Sequence, residues 1–254
     1  MAANNEKSSG TVAYINARLL DPASGLDTTG GLLTEGEIIT DVGPGLAKKK
    51  DAPKGAKVVD CGGKCLSPGL VDMRIEIGDL ASTAEAAVSG GVTSAVCLPN
   101  TDPVIDDMTV VEFVARRARK LGLVKVYPYG AVTKGLQGRE LAELGLLAEA
   151  GAVAFTDGTK AVADAQVMAR ALSYAATFGL MIVQHPEEPS LTADGVMNAG
   201  ETATRLGLFG IPPEAEVIMI ERDVRLAEMT GGRLHIAHVS TAESIDASRR
   251  AKGR

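Results

Sequence analysis

Six residues stand at or just past the ends of apolar runs, and their side chains are of kinds that bind cations or move protons. Arg74 and Glu76 close LVDMRIEI, Asn100 closes CLPN, Asp157 closes AFTD, His185 closes LMIVQH, and His238 lies in HIAHVS. Two imidazoles and a carboxylate suit a divalent metal such as zinc, which takes neutral nitrogen and anionic oxygen donors and keeps one position open for water. Arg74 breaks that pattern, because a guanidinium is permanently cationic and has no lone pair to offer. Two apart in a strand, Arg74 and Glu76 are expected on one face. A strand-end Asp more often caps the next helix than binds a metal, and a lone His is more often structural. Four such ends in series argue for a shared site. His235 and His238 are three apart and so face opposite sides of a strand. His238 is assigned to the site; His235 either packs under a helix or bonds a backbone carbonyl.

The elements that must position these residues follow from periodicity. Residues 11–67 hold short β-like pieces (TVAYINARLL, GLLTEGEIITDVG, AKVVDCGGKCLSPG) broken by Gly, Pro and Asp, which predicts a small β-domain. Residues 1–10 are expected to be a disordered tail. From Pro68 onward, near-continuous apolar strands over 70–77, 93–99, 124–132, 152–157, 180–185 and 233–240 alternate with helices near 80–90, 109–121, 139–150, 164–178 and 213–230. A last helix starts near Ala242. The pattern predicts α/β architecture with a parallel sheet over 68–254. In such a sheet the six polar ends converge on one rim. Six strand–helix units are fewer than the eight of a TIM-type (β/α)8 barrel, which takes roughly 250 residues. The segment is therefore either an open six-strand sheet or, as preferred here, a barrel truncated at its C-terminus.

Bulk properties exclude several classes. With 26 basic against 32 acidic residues, the net charge of −6 offers no basic excess for nucleic acid. No run reaches the roughly 18 apolar residues of a membrane span, and the N-terminus has no apolar secretory core; a cytoplasmic location is expected. Three cysteines, an odd count at low density, fit a reducing compartment. Cys61 and Cys65 lack the second pair that a structural zinc site needs. No G-x-S-x-G elbow or phosphate loop is present.

The segments SPGLVDM, AAVSGGVTSAVCLPNTDPVID, GAVAFTDG, HPEEPSL and HIAHVSTAES, in this order, resemble the dihydroorotase branch of the amidohydrolase superfamily. The resemblance runs from about residue 60 onward. It implies a small β-domain beside a (β/α)8 barrel that holds one or two zinc ions. The implied reaction is hydrolysis or closure of the dihydroorotate ring amide by a metal-bound hydroxide, in de novo pyrimidine biosynthesis. Allantoinases and hydantoinases are close relatives. On the same resemblance Asp157, His185 and His238 are metal ligands, with Glu76 a further candidate, and Asn100 binds substrate.

The family's strand-one H-x-H falls on Arg74 and Glu76, and its substrate-binding Arg falls on Gly78. Its strand-eight Asp, the general base, would lie beyond Arg254, so no catalytic residue is assigned. These departures predict weak catalysis. They also predict that Arg74 takes the electrostatic place of a metal by reaching a carboxylate, Asp157 or Glu76. The partners implied are a small cyclic amide and further copies of the chain. The alternative is a non-catalytic subunit that supports aspartate carbamoyltransferase.

Overall fold

The computed structural model describes residues 10–253 except Ala193. Of the expected tail only Gly10 falls among them, exposed directly before the first strand; residues 1–9 lie outside the described residues. The chain divides into two units, the first ending at Gly69 and the second beginning at Leu70.

The first unit is a five-stranded sheet: β1 (Thr11–Asp21), β2 (Leu26–Glu35), β3 (Ile38–Gly43), β4 (Lys57–Asp60) and β5 (Cys65–Leu66). β1 is central, antiparallel to β2 and parallel to β4 and β5. Its alternate residues Ala13, Ile15, Ala17 and Leu19 are buried, the period of a half-buried strand. Cys61 and Cys65 are free thiols. The pair Gly30–Gly31 in β2 admits a close backbone approach. A Cβ on Gly31 would stand 2.3 Å from the Leu46 carbonyl oxygen and 2.4 Å from that of Tyr14. Both obstacles are main chain, so the sheet itself would have to move. Gly31→Ala is expected to destabilise this unit by about 1–3 kcal/mol, the usual range for overpacking, read as a lower urea midpoint; an unchanged midpoint would contradict this packing.

The second unit continues with β6 (Leu70–Ile75), α1 (Leu80–Ser89), β7 (Val92–Cys97), α2 (Met108–Leu121), β8 (Lys125–Pro128), α3 (Leu144–Glu149), α4 (Ala165–Thr177) and β9 (Met181–Gln184). Next come α5 (Pro189–Thr192), β10 (Met197–Asn198), α6 (Glu201–Leu206), β11 (Gly210–Ile211), α7 (Pro213–Thr230), β12 (Arg233–Ile236) and α8 (Ala242–Lys252). β6, β7 and β8 are parallel neighbours in chain order, and β9 pairs parallel with β12. Phe155 joins the two groups through parallel bridges to Gly130 and Ile182. The expected strand at 152–157 is thus reduced to a single bridging position. Its neighbour Asp157 is tied to the loop after β8, and Val153 bonds Pro128.

Helix ends follow local chemistry. Asp79, Asp107, Asp164 and Thr241 accept backbone N–H bonds as N-caps of α1, α2, α4 and α8. Gly122 and Gly231 close α2 and α7 in the left-handed conformation. In α4, Met168, Ala171, Leu172 and Ala175 recur at helical spacing and are buried. They share one core with Phe155, Leu147 and Ile182. The helix expected over 139–150 is shorter, because residues before Leu144 run back along the β8 loop: Thr133 bridges Leu141 and Ala142 donates to the Val132 carbonyl.

Candidate functional site

β6 does not alternate cleanly toward its end. Asp72 pairs with Ala95 and Ile75 with Cys97, so an extra residue is accommodated between them. The Asp72 carboxylate accepts from the Arg74 N–H at 2.9 Å within this irregularity. Glu76 falls just beyond the strand and is exposed, while Arg74 is half-buried. The equal facing expected from their spacing assumes a regular strand, which the bulge interrupts.

The Arg74 guanidinium donates through Nη1 to His238 Nε2. His238 follows β12 by two residues and adopts a left-handed backbone with φ 54°, uncommon for a residue with a Cβ. Its ring centroid lies 5.3 Å from that of His185 at an interplanar angle of 56°. His185 directly follows β9, and its Nε2 lies 2.6 Å from Glu187 Oε2. Its Nδ1 is buried and unpartnered. Arg74, His238, His185 and Glu187 therefore form one chain of side chains across the strand ends.

Burial foremost, then the positive charge of Arg74 and the other two histidines, hold the His238 imidazole below its ordinary pKa. A guanidinium can only donate, so Nε2 accepts and the ring proton resides on Nδ1. The ring can serve as a hydrogen-bond acceptor toward Arg74 or as a metal ligand through Nε2, but not as both.

Asp157 is 2% exposed. Its Oδ1 accepts from Val132 N at 3.0 Å and Thr133 N at 2.9 Å, and its Oδ2 from Thr133 Oγ1 at 2.5 Å. Thr133 Oγ1 in turn accepts from Gly138 N at 2.8 Å. Burial raises the Asp157 pKa against the pull of these bonds and of Lys160. The carboxylate thus stitches the loop after β8 to the segment after Phe155.

A zinc site is a poor fit to this arrangement. Among the described residues no three His, Cys, Asp or Glu side chains converge as a metal-binding group. The unpartnered His185 Nδ1 is one available donor, but Arg74 engages the Nε2 of His238 and would bring a fixed positive charge beside the ion. The expectation that Arg74 reaches a carboxylate is corrected: its guanidinium meets an imidazole. Asn100 is exposed and lines a cavity of about 830 Å³ with Gly78, Asp79 and Phe113. His185 lines a different cavity, of about 620 Å³, with Arg139, Lys160 and Glu187. His235 lines a third, of about 650 Å³, between Val224 on α7 and Ser248 on α8, on the helix side of β12.

Several residues of the site carry no sequence motif. Gln184, Glu216 and Asp223 are three of them, whereas Glu187 lies within HPEEPSL. Asp223 is 0% exposed and lies on the same stripe of α7 as Ala215, Met219 and Ile220. A carboxylate in register with buried apolar residues is the signal that marks it.

The comparisons with known proteins agree in kind. The dihydro-orotase-like family model matches residues 63–244. A dihydroorotase of Syntrophobacter fumaroxidans is 45% identical over 249 residues, covering 95% of this chain and 57% of that protein. A dihydroorotase of Pelobacter propionicus is 45% identical over 245 residues, with 93% and 57% covered. The chain thus spans a little over half the length of these curated relatives. Among solved structures, an L-hydantoinase from Arthrobacter aurescens superposes with a TM-score of 0.73 at 22% identity, over 95% of this chain and 56% of that one; the likeness concerns the fold alone. With the family match covering most of its residues and 45% identity along almost its whole length, the chain belongs to the dihydro-orotase-like family.

Proposed function

We propose that this protein is a dihydroorotase-type cyclic amidohydrolase of pyrimidine biosynthesis by descent, whose first-strand departure leaves little turnover in this chain. The single observation that carries this reading is the bond from the Arg74 guanidinium to His238 Nε2. The parallel neighbours β6, β7, β8, Phe155, β9 and β12, in chain order, support reading the second unit as six units of a (β/α) barrel. In that reading the strand ends carry Arg74, Asp157, His185 and His238 at one rim. Asp157 holds the β8 loop, while Asn100, the substrate residue that the resemblance implies, lines the neighbouring cavity with Gly78 and Asp79. Zinc does not fit the donors as they stand, so no step is routed through it. What these residues offer a substrate is a neutral acceptor imidazole and a fixed cation, because Asp157 is buried and its oxygens are engaged by the β8 loop. That set can bind and orient an anionic cyclic amide, but it supplies no activated water.

The Arg74–His238 contact is equally compatible with a second reading, a non-catalytic subunit supporting aspartate carbamoyltransferase. One assay separates the readings from ordinary catalysis. Dihydroorotate ring opening by purified protein supplied with zinc is expected to fall well below about 1 per second, the lower bound for typical enzymes. Turnover at or above that rate would overturn the proposal. Co-elution with aspartate carbamoyltransferase would favour the second reading.

A further inference from the structure

α7 carries three polar side chains on or beside its inward stripe, and each ties down a different segment of the site. Glu216 and Asp223 are seven apart, two helical turns, and so share a face; Met219 and Ile220 fill the stripe between them and are buried. The Glu216 carboxylate accepts from Ser240 N at 3.0 Å, Ser240 Oγ at 2.7 Å, Thr241 N at 3.2 Å and Thr241 Oγ1 at 3.3 Å. These bonds close the turn that directly follows His238, the residue held at φ 54°.

One end of Asp223 accepts from Gln184 Nε2 at 3.0 Å, and the other from Arg222 Nε at 2.8 Å. Gln184 is the residue before His185, and its Oε1 accepts from Val162 N at 3.2 Å. Arg222 donates to the Val162 carbonyl at 2.8 Å and to the Ala163 carbonyl, in the loop that follows Asp157. The loop after His185 also returns to this helix, where Glu188 N donates to the Ala215 carbonyl at 3.0 Å.

Packing alone does not call for these groups. At Asp223, the buried member of the three, an apolar residue of similar volume would fill the stripe at least as well, because buried ionic groups contribute little net stability. What a fully satisfied polar network adds is one defined geometry. We propose that α7 is the positioning element of the site: Glu216 fixes the turn that aims His238, and Asp223 with Arg222 fixes the strand end that aims His185 and the loop beyond Asp157. Glu216, Arg222 and Asp223 touch none of the reacting groups and act through the residues they hold. The aim of the two rings is independent of the proposed turnover.

The chain has three histidines, so selective ¹⁵N labelling of histidine yields three ring spin systems, each assigned by its loss in a single His→Gln variant. Glu216→Gln keeps the shape but sets an amide N–H against the donors of Ser240 and Thr241. It is expected to move the His238 ring signals by more than their linewidth and to leave those of His235 in place. Asp223→Asn is expected to move the His185 signals in the same way. Ile220→Val, between the two carboxylates, removes packing without touching either network; it should lower the melting temperature and leave all three rings unmoved. A folded Glu216→Gln chain with native His238 signals would overturn the proposal, as would equal shifts from Ile220→Val. If Asp223→Asn does not fold, the Glu216→Gln comparison decides by itself.

Discussion

Asp157→Ala is expected to lower the stability of the second unit by about 3–5 kcal/mol, since it strands two buried backbone N–H groups and a buried hydroxyl that each cost about 1–3 kcal/mol when unpaired. The donors are Val132 N, Thr133 N and Thr133 Oγ1. Asp157→Asn should cost far less. Its carbonyl oxygen can still accept both N–H bonds, and its NH₂ group can donate to the Thr133 hydroxyl. The pH dependence has a definite sign. Burial raises the folded-state pKa of Asp157, so the folded chain holds this proton more tightly than the unfolded one. Its contribution is full below the unfolded value, about pH 4, and is lost as pH rises through the higher folded value. The gap between parent and Asp157→Ala should therefore narrow with rising pH above about 4, while Asp157→Asn gains on the parent. Urea unfolding of the three proteins at acidic and neutral pH checks both the order and the trend. Equal losses for Ala and Asn would show that the hydrogen bonds are not what Asp157 contributes.

The largest functional change is expected from Arg74→His combined with Glu76→His. The first substitution removes a fixed positive charge and frees His238 Nε2, on a ring whose centroid lies 5.3 Å from that of His185, where Nδ1 is buried and unpartnered. Losing an outer-sphere partner changes metal affinity by roughly 10–100-fold; exchanging a cation for an imidazole at a donor position should exceed that. The double variant is expected to hold about one zinc per chain after dialysis, as donor sets of this kind do. Arg74→His alone should show most of the gain, because Glu76 lies beyond the bulged end of β6 and is exposed. Metal analysis of parent, single and double variants measures it. No gain in either variant would mean that His185 and His238 are not aimed at a common point.

Much of the fold was legible because its signals are local. Helix starts follow capping side chains at Asp79, Asp107, Asp164 and Thr241, and the apolar runs mark β6, β7, β8, β9 and β12 to within a few residues. The short elements between Pro189 and Ile211 were not legible, since pieces of two to six residues have no period to read. Nor was the loss of a regular strand at 152–157, which depends on how Phe155 wedges between Gly130 and Ile182.

The anomaly at position 74 could be read from residue type alone. Its partner could not: the bulge between Asp72 and Ile75 and the left-handed backbone of His238 decide that contact. Neither is encoded by spacing. The brace on α7 lay in between, because a buried-stripe carboxylate at Asp223 is visible only once the stripe is known to face inward.

We propose that Arg74 occupies the place of a metal cation by engaging His238. Zinc titration of the unmodified chain, followed on the ¹⁵N signals of its histidine rings, tests it most directly. An unprotonated, hydrogen-bonded Nε2 on His238 and no movement of the His185 or His238 signals are expected as zinc is added. Concerted shifts of both rings, saturating at one zinc per chain, would contradict it.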